Sequence, residues 1–191
     1  MHPYFARTKF TMEYLLKDRE PKEALRYFEE ISAIPRGSGN EEAISQYLLD
    51  FAKAHGLDAY RDSAWNVYIT KPGSAGCESL PPLMLQGHTD MVCEKNHNVD
   101  HDFTKDPIKL VVEGNILRAD GTTLGADNGV AVAWMLSILA DDSLKHPPLE
   151  CVFTASEEVG LIGAHNLEFD RIHARRLINL DCGPEGVFCC G

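Results

Sequence analysis

The chain has 191 residues, 44% apolar and 25% charged, the profile of a globular domain long enough to bury a core without disulfides or a structural metal. Eighteen basic against twenty-nine acidic residues give a net charge of −11, which argues against the basic face that a nucleic acid or an anionic membrane requires. The first ten residues, MHPYFARTKF, lack the apolar run of a signal peptide, and no later stretch approaches the ~20 apolar residues of a membrane span, so a cytoplasmic protein with no nucleic-acid or membrane partner is expected.

Apolar residues at helical spacing (Ala24, Leu25, Phe28, Ile31) predict a first helix over Pro21 to Ile34, with the proline suited to its first turn. A Gly-Ser-Gly-Asn turn then leads into a second helix, Glu41 to His55, whose Ile44, Tyr47, Leu48, Phe51 and Ala52 share one face and which stops at Gly56. Short β-rich runs follow at 66–70, 82–86, 116–118, 151–155 and 176–181, and 128–140 reads as a buried helix. Lys71 to Glu78 is a loop or hairpin, and the polar Glu94 to Lys109 stretch is exposed. Strands alternating with helices imply an α/β sheet. Cysteines 77, 93, 151, 182, 189 and 190 contain no CxxC pair and are expected to be reduced, with the adjacent Cys189 and Cys190 pointing to opposite faces of a strand.

Chemically interesting residues gather at the ends of these strands. Leu83 to Gln86 runs into Gly87-His88-Thr89-Asp90, which puts an imidazole and a carboxylate just past the carboxyl edge, where open α/β sheets place ligands. Thr122 to Gly129 carries Asp127 between two glycines at the mouth of the buried helix. The strand at 151–155 is followed by Ser156-Glu157-Glu158, two adjacent acids that repel unless a cation lies between them. A final acid, Asp181, ends the strand at 177–180. Taken singly, each fits a structural role as readily: a hydrogen-bonded histidine, a helix cap, the opening of a helix. Together, one histidine and several carboxylates form a donor set suited to zinc or a similar ion, with too many acids for one tetrahedral site.

In order and spacing, Gly87-His88-Thr89-Asp90-Met91-Val92, Leu124-Gly125-Ala126-Asp127-Asn128-Gly129, Ser156-Glu157-Glu158-Val159-Gly160 and Asn179-Leu180-Asp181 resemble the metal-site motifs of the co-catalytic zinc exopeptidases. The stretch from His101 to Ile108 is similar to the bacterial aminoacyl-histidine dipeptidase subgroup. The resemblance covers the chain from about Ala24 onward and implies a three-layer α/β catalytic domain, a mixed, mostly parallel sheet between helices. It also implies roles: His88 and Asp181 on one metal, Glu158 on the other, Asp127 bridging both, Glu157 as general base, and Asp90 behind His88 accepting a hydrogen bond from its ring. The Asp127-Asn128 peptide bond is expected to be cis. The implied activity is hydrolysis of dipeptides of the aminoacyl-histidine type by water activated between two divalent ions, zinc first, with cobalt or manganese as alternatives. A related deacylase or tripeptidase, or a non-catalytic metal-binding module that keeps the fold, remains open on the residues alone.

Relatives of this kind are more than twice as long. The whole chain, 1–191, is therefore expected to be the amino-terminal part of an incomplete catalytic domain, without the lid and dimerisation domain inserted after a strand that starts near Gly186. A last histidine ligand has no counterpart here. On this reading only the site made by His88, Asp127 and Asp181 keeps enough ligands to hold metal, the polypeptide alone has little or no activity, a family-like homodimer would need the absent lid, and uncovered sheet edges favour association with itself or with a second fragment.

Overall fold

Helix α1 spans Lys22–Ser32 and α2 spans Glu42–Ala54 in the computed structural model of the protein, which describes residues 13–181 together with Gly183 and Val187. Cys182, Cys189, Cys190 and the strand expected near Gly186 lie outside the described residues. Both helices follow the predicted amphipathic pattern. Ala24, Tyr27, Phe28 and Ile31 are buried on α1, and Ile44, Leu48, Phe51 and Ala52 on α2. Each large side chain of this kind contributes about 1.5–3 kcal/mol when fully withdrawn from water.

Strands β1 (Asp58–Arg61), β2 (Val67–Lys71), β3 (Leu83–His88), β4 (Leu110–Glu113) and β5 (Ile116–Ala119) come next. After them come α3 (Ala126–Ala140), β6 (Leu149–Thr154), the short α4 (Ile162–His165), a 3-10 turn at Phe169–Arg171, and β7 (Leu177–Asn179). Five strands form one sheet in the order β1-β2-β6-β3-β7, while β4 and β5 form a separate antiparallel hairpin. In the main sheet β2 is antiparallel to both its neighbours, and β3 is parallel to both β6 and β7. Four of the five strands therefore run the same way, and the expected mixed, mostly parallel sheet is what the chain forms.

The sheet is buried unequally on its two faces. Val67, Ile69, Leu85, Cys151 and Phe153 alternate along their strands and enter the main core with residues of α1, α2 and α3, as the two-residue period of a strand requires. Tyr68, Met84 and Val152 point the other way into a smaller cluster, closed by Leu167, Ile172 and Ala174 from the segment around the 3-10 turn. Helix α3 is almost wholly apolar and buries Ala131, Val132, Met135, Leu136 and Leu139. Its helical backbone begins only after Asp127 and Asn128, which have non-helical conformations, so the predicted start at residue 128 is close. Among the described residues no helix is long and apolar enough to cross a membrane, and Cys77, Cys93 and Cys151 are free thiols.

The sequence pattern did not reveal β1, β4 or α4. Each is only four residues long, too short for a period to register, and the two strands are defined by the partners they pair with.

Candidate metal centre

Three parallel strands finish at one edge of the sheet. Strand β3 ends on His88 itself, which lies in register with Thr154, the last residue of β6, and Gln86 lies in register with Asn179, the last residue of β7. Ser156-Glu157-Glu158 and Asp181 therefore emerge beside His88, and the turn into α3 brings Asp127 over it. This is the carboxyl edge at which sheets of this kind hold ligands.

The imidazole of His88 is 1% exposed, and its Nε2 faces outward to Asp127 Oδ1 at 3.1 Å, Asp181 Oδ2 at 3.8 Å and Glu157 Oε2 at 3.8 Å. Its other nitrogen, Nδ1, lies 3.1 Å from the carbonyl oxygen of Asp90 and 3.3 Å from Oδ1 of the same residue. With Nδ1 donating to Asp90, loss of the Nε2 proton leaves the lone pair directed at the carboxylates, the tautomer that a metal ligand needs. Two sets of side chains can each bring one ligand atom within 4.8 Å of the others: His88 with Asp127 and Asp181, and His88 with Glu157 and Glu158. The sequence-predicted residues are thus all in one cluster. Glu158, expected to share its metal with Asp127, falls in the group with its neighbour Glu157.

The electrostatics favour a cation. Among the described residues, no lysine or arginine forms an ion pair with Asp127, Glu157, Glu158 or Asp181. Burial and the negative charges of Asp127, Glu157 and Asp90 raise the Glu158 pKa against the opposing pull of His88. Burial by itself would lower the His88 pKa, but Asp90, then Asp181 and Asp127, outweigh it and hold the ring at about 9. Burial would conversely raise that of Asp90, yet donation from His88, Ser38 and the backbone N–H groups of Glu157 and Glu158 brings it down to about 2. One imidazole among uncompensated carboxylates is a donor set that fits a hard or borderline divalent ion, so the residues present fit the metals that the resemblance implies.

Residues outside the four motifs hold this cluster in place. Ser38 Oγ donates to Asp90 Oδ2 at 2.7 Å. Buried Glu41 accepts from the backbone N–H and the hydroxyl of Ser156, at 3.0 and 2.6 Å, and so pins the turn that presents Glu157 and Glu158. Asn66, fully buried, accepts from the N–H of Ala155 at 3.0 Å and donates to Asp62 and the Gly163 carbonyl. The Asn128 side chain accepts from the His88 N–H at 3.2 Å and donates to the Leu180 carbonyl at 3.1 Å, linking the ends of β3 and β7 to the start of α3. The Asp127-Asn128 bond is cis, as the resemblance implies. Sequence reasoning took the Gly37 to Asn40 region only as a turn. A serine between glycines followed by a glutamate was the available signal, but its partners lie 52 and 115 residues away.

No protein-family model matches the chain. Among curated proteins it is 42% identical, over 176 residues, to the cytosol non-specific dipeptidase of Escherichia coli, which spans 92% of this chain but 36% of that protein. Peptidase T of Vibrio cholerae is 31% identical over 124 residues, covering 61% of this chain and 30% of the relative. Among solved structures, the aminoacylhistidine dipeptidase of Vibrio alginolyticus superposes with a TM-score of 0.87 at 40% identity, over 94% of this chain and 36% of its own. A tripeptidase of Staphylococcus aureus gives a TM-score of 0.72 at 28% identity, over 85% and 44%. The resemblance read from the motifs therefore extends to sequence and fold over nearly the whole chain, which spans about a third of the length of the dipeptidases it matches.

Proposed function

We propose that this chain, which is similar in sequence to part of two bacterial dipeptidases and in fold to one of them, supplies most of the metal centre of a metal-dependent peptidase acting on dipeptides. The observation that carries the reading is the convergence of one buried histidine and four carboxylates, none paired with a lysine or arginine among the described residues, at the carboxyl edge of three parallel strands. A dipeptide is favoured over a longer peptide because the two dipeptidases are 42% and 40% identical to the chain and the tripeptidase 28%. The finer preference for an aminoacyl-histidine substrate follows the Vibrio alginolyticus dipeptidase alone, the Escherichia coli relative being a non-specific dipeptidase, and a cytoplasmic location follows the latter.

His88, Asp127 and Asp181 would hold one ion, and Glu158, with Asp127 as the shared ligand, a second; zinc suits this mixture of imidazole and carboxylate. The chemistry that divalent ions would supply there is polarisation of the scissile carbonyl and a more acidic attacking water. Glu157 is the general base: it takes the proton from that water and returns it to the departing amine, so that one carboxylate serves both halves of the reaction. Asp90 keeps the His88 ring in the tautomer that leaves Nε2 free, and by accepting from the N–H groups of both Glu157 and Glu158, at 2.9 and 3.2 Å, it ties ligand and base together. Ser38 and Glu41 keep water-facing carboxylates from swinging out of position by fixing Asp90 and Ser156.

By ligand count among the described residues, the His88, Asp127 and Asp181 set is the stronger of the two. The 191-residue polypeptide is expected to bind about one zinc and to turn over little by itself. Elemental analysis of the parent, Asp181→Asn and Glu158→Gln chains beside a dipeptide-hydrolysis assay tests this. Zinc lost with Asp181→Asn but kept with Glu158→Gln supports the assignment. Two zincs with full turnover would overturn the ligand count, and no zinc in the parent would overturn the metal reading.

A further inference from the structure

Arg36 is 2% exposed, yet among the described residues no carboxylate forms an ion pair with it. Its guanidinium faces backbone carbonyl oxygens: Nη1 donates to those of Thr89 and Asp90, at 2.9 and 3.3 Å, and Nη2 donates to that of Gly125 at 2.5 Å. Nε has no partner among the described residues. Burying a charge without an opposite charge is costly, and here desolvation lowers the Arg36 pKa to about 10, partly offset by Asp90. The carbonyls it joins belong to the two segments that deliver His88 and Asp127. The Asp90 carbonyl is also the one that lies 3.1 Å from His88 Nδ1, and Gly125 stands two residues before Asp127.

The surroundings make room for the guanidinium. A Cβ on Gly125 would fall 2.5 Å from Nη2 and 2.7 Å from Met91 Sδ; one on Gly129 would fall 2.6 Å from Nη2 and 3.2 Å from Phe28. Gly125 also takes a φ of +69°, which disfavours a side chain whatever the space. Gly129 carries no such conformational demand, and alanine is the better helix former. Its lack of a side chain is explained by the space that Arg36 and Phe28 occupy.

We infer that Arg36 is a positioning residue for the metal centre: by gripping the Thr89-Asp90 and Gly125 carbonyls with one rigid planar fork, it sets the spacing between the His88 imidazole and the Asp127 carboxylate. This rests on the reading that those two side chains bind a common ion. An ammonium cannot reproduce a planar fork that spans two segments, so Arg36→Lys separates charge from geometry. Groups that orient a ligand without touching the ion typically account for ten- to a hundred-fold in affinity.

The test is a zinc titration of the 191-residue chain against a competing chromophoric chelator, with thermal unfolding followed in the absence of metal. Arg36→Lys and Gly129→Ala are each expected to unfold cooperatively without metal and to bind zinc about ten- to a hundred-fold more weakly than the parent. A folded Arg36→Lys or Gly129→Ala chain with parental zinc affinity would overturn the inference. So would loss of the folded state in both variants, which would make Arg36 a residue of the fold and not of the ligand spacing. A parent chain that binds no zinc would remove the metal reading itself, an outcome distinct from parental affinity in the variants.

Discussion

The backbone N–H of Glu157 donates to Asp90 Oδ1 at 2.9 Å, so the carboxylate that orients His88 also fixes the residue assigned as base. Asp90 has no exposed surface and accepts in addition from Ser38 and the N–H of Glu158. Asp90→Asn keeps the shape but replaces one acceptor oxygen with a donor, which confronts the N–H groups already aimed at it. We expect Asp90→Asn to lower zinc affinity by about ten- to a hundred-fold and to lower the thermal midpoint of the metal-free chain. Unchanged zinc affinity in a titration would show that His88 needs no support from Asp90.

Glu157 and Glu158 adjoin each other but are assigned different tasks. Because Glu157 can be grouped with His88 and Glu158 as a possible ligand, the assignment needs a separation of binding from turnover. Glu157→Gln is expected to leave zinc affinity within about threefold of the parent. Any dipeptide hydrolysis by the zinc-loaded chain should fall by at least about a hundredfold, the usual scale for removing a general base. Loss of zinc on this substitution would make Glu157 a ligand.

Residues that carry chemistry were more legible in the sequence than those that hold them. His88, Asp127, Glu158 and Asp181 stand out because each follows a strand or opens an apolar helix, so a local pattern marks its place at the sheet edge. Arg36, Glu41 and Asn66 have no such frame. The groups they hold at the centre, Thr89, Ala155 and Ser156, are 53 to 115 residues away, and a buried arginine or glutamate reads as surface until the fold supplies its partners. The same distinction separates α2, whose apolar stripe is self-evident, from β1, whose Asp58-Ala59-Tyr60-Arg61 becomes a strand only through pairing with Val67 to Thr70.

The pair His88 and Asp90 gives the metal-free chain a defined pH dependence. The His88 pKa is held at about 9, above its ordinary 6.5, so its stabilising contribution is complete below about 6.5 and is lost as pH rises through about 9. The Asp90 pKa is held at about 2, below its ordinary 3.8, so its contribution is complete above that ordinary value and is lost as pH falls through about 2. Thermal unfolding with a chelator present is therefore expected to show greatest stability between about pH 4 and 6.5, with a falling midpoint towards pH 9. Zinc requires the unprotonated ring, so the midpoint gain on adding zinc should grow from pH 6 to 8. A gain independent of pH would mean that the ion does not compete with the His88 proton.

Gly87 tests how closely helix α3 must approach the strand that carries His88. A Cβ there would lie 2.5 Å from Asn128 Oδ1 and 3.0 Å from the Ala131 Cβ, and Asn128 is the side chain that links the His88 N–H to the Leu180 carbonyl. Ala131 is buried in the helix and cannot yield without moving α3. Gly87→Ala is thus expected to cost about 1–3 kcal/mol, the range for overpacking a filled core. At this chain length that corresponds to a midpoint lower by roughly 2–12 °C. Because the displaced Asn128 also loses its grip on β3 and β7, zinc affinity should fall along with stability. Gly129→Ala should instead weaken zinc binding while the metal-free chain keeps its cooperative transition. If Gly87→Ala left the midpoint unchanged, the close approach of α3 to β3 would not be a constraint on the centre.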